Sequence, residues 1–354
     1  MEGMVVSMNN NSFFGGRISG AQTVSLLLLC SMFSLMTMPT DENVGFKVQL
    51  AAAAVSALIQ AIIAIPLVML TYPENGLKRG FWGIFCRILY CIFFLAIAAN
   101  VILESFVFLE AQFYRNAGKI GVCITLAVLC GYCAYLGIEG LARSSAVMLT
   151  VFFIVTIAII LPSVGESDLS VFTDRSFIYT GQLPSAVYRD ISRSGEIVAA
   201  VFLSGYSKQN IRKPLYTFIA VKLLVTCGII FAVGAIGGRF AYITDFPFMS
   251  LSAFADDVLF GRTDAVFMAI LIISGIISAS LYLLIASELI CGIFDAKDKK
   301  VLLTFPVSAV LCVLLIFADG YGTILCSFVS ILVLFTIIPL IIILLNRRKK
   351  EVSR

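Results

Sequence analysis

The stretch at residues 184–204, PSAVYRDISRSGEIVAAVFLS, is long enough to cross a bilayer, yet it carries Arg189, Asp190, Arg193 and Glu196. Each charge held at hydrocarbon depth costs roughly 2.5–3.5 kcal/mol even on the gentler insertion scales, so charges there mark function unless the segment lies elsewhere. At 100° per residue Ser185, Arg189, Ser192, Arg193 and Glu196 share one stripe. Ser192, Ser194 and Gly195 flank the point where polar residues give way to IVAAVF. A helix that comes apart at that point aims free backbone amides and an arginine at a small ligand near the midplane. An interfacial helix followed by a re-entrant piece is the competing reading, and this stretch alone leaves both open.

Other apolar segments hold polar groups that could meet the same point. The first carries Ser31, Ser34 and Thr37 among Leu and Met; the third carries Asn100 and Glu104. Glu104 lies about one and a half turns inside Glu110, so it needs a partner or reaches headgroups or a water-filled vestibule. Lys222 is nine residues beyond Lys213, about 13 Å of helix rise, which exceeds what a lysine stem comfortably snorkels. An ion pair with Glu104 or Glu196 is therefore expected. Ser274 and Ser278 stand one turn apart, with Ser280 nearby, at a spacing that serves helix packing or ligand contact. Together these residues could hold a zwitterion such as an amino acid. Arg193 and free amides would take the carboxylate, and Glu196 or backbone carbonyls would take the amine or a cation.

These groups must be positioned by membrane-spanning helices. The chain of 354 residues is 60% hydrophobic and 13% charged, against about 25% charged for a soluble globule. Ten apolar runs near 20 residues fit the roughly 30 Å hydrocarbon layer, at about 18–38, 46–70, 82–108, 119–137, 145–161, 184–204, 215–238, 264–291, 301–317 and 322–345. Continuous rather than alternating apolarity means helices and not a barrel. The expectation is an all-α polytopic membrane protein.

Composition also excludes. Histidine is absent, which removes histidine triads, histidine metal sites and an imidazole switch. Cys130-Gly-Tyr-Cys133 has redox spacing, but inside a span it reads as two buried thiols. No catalytic signature, metal site or cofactor is expected. The net charge of +4 comes mostly from Arg347, Arg348, Lys349 and Lys350, so it concerns orientation and not nucleic acid. With the N-terminus inside, fifteen Lys and Arg fall on the cytoplasmic side, six outside and four within spans. That bias places both termini in the cytoplasm. The N-terminal MEGMVVSMNNNSFFGG lacks a basic n-region and cleavage site, so the first span is expected to be retained.

Ten spans with the sixth interrupted suggest two sets of five related by inverted topology, with helices 1 and 6 discontinuous. The expected division is a cytoplasmic tail at 1–17 and one transmembrane domain at 18–346. Its repeats fall at about 18–161 and 184–346, and a basic cytoplasmic tail follows at 347–354.

The ISGAQ before span one, the SLMTMP that ends it, SGEIVAAVFL followed by a Lys/Arg turn, and above all FPFMSLSAFADDVLFGRTDAVFMAILIISGII carry a resemblance. Over about 18–350 the chain resembles the permease-like B subunit of bacterial spore germination receptors, within the amino-acid/polyamine/organocation (APC) superfamily. The resemblance implies a five-plus-five APC transporter-like fold in the inner membrane of a spore. A germinant such as an amino acid would bind between spans one, three, six and eight and trigger germination, with a ligand-gated ion pathway as one mode. The A and C receptor subunits would be partners. A proton- or sodium-coupled amino-acid transporter is the alternative. Members of the family commonly carry a Gly-x-Gly pair in span one where this chain has Met32, Phe33 and Ser34; the bulk of Phe33 would narrow the pocket. After span six, Gly205-Tyr206 replaces the common Pro-Glu or Pro-Tyr. The ligand-binding expectation is thus Ser31, Phe33, Ser34, Asn100, Glu104, Ser192, Arg193, Ser194, Gly195, Glu196, Ser274 and Ser278.

Overall fold

A computed structural model describes residues 17–37, 44–69, 81–112, 118–163, 165, 167, 172, 182–207, 210–238, 246–249, 251 and 263–294. The expected spans at 301–317 and 322–345, the basic tail and most of the two long connections lie outside the described residues.

The described elements are helices: α1 Gly20–Met36, α2 Phe46–Met69, α3 Phe81–Gln112, α4 Lys119–Tyr135 and α5 Ile138–Ser163, then α6 Leu183–Ser192, α7 Glu196–Leu203, α8 Arg212–Ala232 and α9 Thr263–Phe294. Five of them, α2, α3, α5, α8 with its π-helical extension and α9, are long and apolar enough to cross a membrane; α1 and α4 are shorter apolar helices of 17 residues. Leu58, Ile62, Leu161 and Leu224 are each about two-thirds exposed or more on the outer faces, as side chains solvated by lipid tails are.

The ISGAQ sequence is a helix start. Ser19 Oγ accepts from the Gln22 amide at 3.3 Å and Gln22 Oε1 accepts from the Ser19 amide at 2.9 Å, a reciprocal capping box. Just upstream, the Ile18 amide donates to Tyr206 O at 3.0 Å, and the Arg17 amide donates to Glu139 Oε1 at 2.9 Å. The entry to α1 is thereby tied to the exit of α7 and the start of α5. α5 begins earlier than expected: Glu139 and Arg143 lie in its first turns as an i,i+4 pair at 3.4 Å, not in a turn before it.

α1 runs unbroken from Gly20 to Met36, so the interruption expected in helix 1 is absent among the described residues. No glycine or proline follows Gly20 within it, and nothing else offers the backbone a cheap way out of the helix. In span six the chain does break, between α6 and α7, over Arg193, Ser194 and Gly195.

Packing sets the frame around that break. α9 lies against α3, α4 and α5, while α2 lies against α6 and α8. α1 and α7 run between these groups, α1 touching α5, α7, α8 and α9. Phe202 of α7 meets Tyr90 and Phe94 of α3 in edge-to-face contacts at 5.2 and 5.3 Å, which anchors the wholly buried α7. α8 ends in a π-helical turn at Val233–Gly237, and Gly238 leaves it with φ of 51°, a left-handed value that a side chain would resist.

Candidate functional site

The break in span six has local causes. Ser192 Oγ donates to Tyr188 O at 2.5 Å and Ser194 Oγ donates to Asp190 O at 2.8 Å, so two serines turn back on the carbonyls of α6. The Ser194 amide reaches Ile191 O at 3.0 Å, tightening the last turn. Gly195 then passes close to α3: a Cβ there would lie 2.5 Å from Ile97 Cδ1. Glu196 opens α7 with its carboxylate in the first turn, where it complements the positive end of the helix.

Arg193, inside the break, points to α1 and α3. Its Nη1 donates to Ser34 O at 3.2 Å and its Nη2 stands 3.6 Å from Glu104 Oε1. Glu104 is also bound elsewhere: Oε1 accepts from Asn100 Nδ2 at 2.9 Å and Oε2 accepts from Thr37 Oγ1 at 3.2 Å. Of the two readings of Glu104, a partner or a reach to headgroups or a vestibule, the structure gives it a partner, Arg193, supported by two neutral donors.

On the other side of the break a second knot forms. Ser194 Oγ accepts from Gln60 Nε2 and from Lys222 Nζ, both at 2.9 Å. Asp190 Oδ2 accepts from Ser56 Oγ and, at 3.3 Å, from Gln60 Nε2. Lys222 pairs directly with neither Glu104 nor Glu196, contrary to the expected ion pair. A serine in the break takes its hydrogen bond instead.

Between the two knots is a small chamber of about 20 Å³, lined by Ser31, Ser34, Asp190, Arg193, Glu196, Lys222 and Thr226, with Leu35 beside them. Glu196 is 1% exposed, and its Oε2 has no hydrogen-bond partner among the described residues. An unsatisfied buried carboxylate oxygen costs free energy and calls for a donor. Asp190 and Thr226 also line an apolar cavity of about 110 Å³ between α1, α2, α6 and α8, walled by Met36, Phe46, Ile229 and Phe248. The polar chamber thus adjoins a larger apolar space.

Of the twelve expected residues, Ser31, Ser34, Arg193 and Glu196 line the chamber, Glu104 and Asn100 support Arg193, and Ser194 and Gly195 form the break. Four stand apart. Ser192 bonds back to its own helix. Phe33 is 1% exposed and packs toward α9, where its ring would contact a Cβ on Gly275 at 2.8 Å, so it does not narrow the chamber. Ser274 and Ser278 are buried and donate to Ile270 O and Ser274 O within α9. Sequence reasoning missed Ser56 and Gln60, although two polar residues one turn apart in an alanine-rich span were a usable signal. It also gave Thr37 and Asp190 no binding role.

The profile of a family described as "Spore germination protein" (Spore_permease) matches residues 69–323. Among curated proteins none matches the chain. Among solved structures the chain is similar to MhsT in complex with L-phenylalanine, with a TM-score of 0.58, 13% identity, and coverage of 92% of this chain and 89% of that one. At that identity the likeness concerns the fold, which is of the APC transporter type.

Proposed function

The chain belongs to the spore germination protein family, and on that premise we propose that it is the membrane-embedded B subunit of a germinant receptor. It binds a small zwitterionic germinant, such as an amino acid, in the chamber beside the span-six break, and acts without catalysis. The observation that carries this reading is a complementary pair of binding groups. Arg193 donates to the Ser34 carbonyl at 3.2 Å and stands 3.6 Å from a carboxylate that has two other donors, and Glu196 presents a buried, unpartnered oxygen to the same space. The first suits a carboxylate and the second an ammonium group. Formal charges around the chamber run the same way, with Glu104, Asp190 and Glu196 facing Arg193 and Lys222. One further cation, such as a ligand amine, would balance them.

In this reading the whole chain has ten spans in two inverted repeats at about 18–161 and 184–346, with tails at 1–17 and 347–354. Both termini are cytoplasmic, the membrane is the inner membrane of a spore, and the A and C receptor subunits are partners. The APC-type fold also supports a second reading, coupled transport of an amino acid. Thermal shift of the purified chain with a panel of amino acids tests the binding claim. A saturable stabilisation by one or a few of them, lost in Arg193→Ala, supports it; equal stabilisation of the variant refutes the anchor role. Uptake of the stabilising amino acid into proteoliposomes separates transport from sensing.

A further inference from the structure

The apolar cavity between α1, α2, α6 and α8 is used by no step of the proposed germinant recognition. Met36, Phe46, Ile229 and Phe248 give it aliphatic and aromatic walls, and it is partly open. An apolar cavity of about 150 Å³ stays dry and takes up benzene, so one of about 110 Å³ limits an occupant to a single small ring. Its lining also has a polar part. Thr226 is 6% exposed, and its Oγ1 makes no hydrogen bond among the described residues. By contrast Thr23, Thr37, Thr125 and Thr150 each donate to the carbonyl four residues back. A buried hydroxyl left unpaired calls for a partner. Asp190, which lines the same cavity, accepts from Ser56 and Gln60 at Oδ2 alone, so Oδ1 is an open acceptor among the described residues.

We propose that this cavity binds a neutral, hydroxyl-bearing ring of the class of simple phenols, at a site separate from the germinant chamber. The ring lies among Met36, Phe46, Ile229 and Phe248, and its hydroxyl donates to Asp190 Oδ1 and accepts from Thr226 Oγ1. A hydroxyl donates and accepts at one atom, as these two open groups require. Asp190 repels a carboxylate, and an ammonium group would leave water for a mostly apolar space. The ligand class therefore differs from the zwitterion proposed for the chamber. A third cavity, lined by Ser56, Gln60, Asp190, Lys222 and Thr226, measures about 10 Å³ and has room for one water at most.

The test is fluorine NMR of para-fluorophenol added to the full chain, purified in detergent without any amino acid, with empty micelles as reference. Ala52 lines this cavity and neither of the other two, so Ala52→Leu fills it without touching the chamber. Expected is a saturable bound signal in the wild type that is absent from folded Ala52→Leu. Thr226→Val keeps the shape and removes the hydroxyl; affinity for para-fluorophenol should fall about threefold to tenfold, while affinity for para-fluorotoluene stays the same. Para-fluorobenzoate should not bind. If Ala52→Leu fails to fold, Ala186→Leu fills the cavity from α6 and takes its place. No saturable binding to the wild type, a bound signal that survives in the filled variant, unchanged affinity in Thr226→Val, or para-fluorotoluene binding as tightly as para-fluorophenol would each overturn the proposal. No germinant is present in this measurement, so its failure leaves the amino-acid reading of the chamber standing, and failure of that reading leaves this site standing.

Discussion

Gln60 Nε2 on α2 bridges the carboxylate of Asp190 and the hydroxyl of Ser194, at 3.3 and 2.9 Å, with its own side chain 2% exposed. One neutral amide thus ties the end of α6 to the serine inside the span-six break, and it does so from a helix that lies outside the break. Replacing Gln60 by Leu removes both hydrogen bonds and leaves buried acceptors short of a donor. The expected loss is about 1–3 kcal/mol, read as a lower Tm of the purified protein, with Gln60→Glu worse because it sets a carboxylate beside Asp190.

Glu104 competes with any ligand carboxylate for Arg193. Glu104→Gln keeps a group that can bond Thr37 and Asn100 while removing the competing charge. Because the pair is partly exposed, its contribution is small, so affinity for a carboxylate ligand should rise by up to about fivefold. Isothermal titration checks this; weaker binding in the variant would mean that Glu104 orients Arg193 more than it restrains it.

Phe33 is a packing residue. Phe33→Ala should cost about 3–5 kcal/mol through lost burial and a cavity beside Gly275, and the range of amino acids that stabilise the protein should stay the same. A changed ligand profile in a folded variant would move Phe33 back into the site.

Gly275 and Gly121 form a contrasting pair. A Cβ at Gly275 would sit 2.7 Å from Ser105 Oγ and 2.8 Å from the Phe33 ring, whereas one at Gly121 meets nothing within 4 Å. Gly275→Ala is therefore expected to lower stability by about 1–3 kcal/mol. Gly121→Ala is expected to be neutral or favourable by up to about 1 kcal/mol. Thermal unfolding of the two variants side by side reads the difference.

Much of this arrangement was legible in the chain. Charges and serines halfway along 184–204 marked the break to within a residue or two, because helix geometry, burial cost and serine back-bonding all act locally. The depth of Glu104 pointed to a partner or to headgroups or a vestibule. Which partner it takes did not follow: Arg193 and Lys222 were both cations at plausible depth, and the choice depends on helix rotation and on the way α1 and α3 pack. Phe33 was misplaced for the same reason. Position along a helix gives depth, but the face turned to a neighbour is settled by close approach, here that of Gly275. Gln60 and Ser56, one turn apart in an alanine-rich span, were a legible signal that a reading led by charge passed over.

The central claim is that polar groups in mid-span line a wet chamber that a ligand fills. Thr226 lines the polar chamber and both cavities beside it. A Thr226→Cys variant, made in a chain whose reactive native cysteines are replaced, therefore reports on the claim directly. The account predicts that a charged, water-soluble thiosulfonate labels this cysteine readily and that the stabilising germinant slows labelling at least about tenfold, as expected at ten or more times its Kd. A cysteine that resists the reagent, or one labelled at the same rate with germinant present, would contradict it.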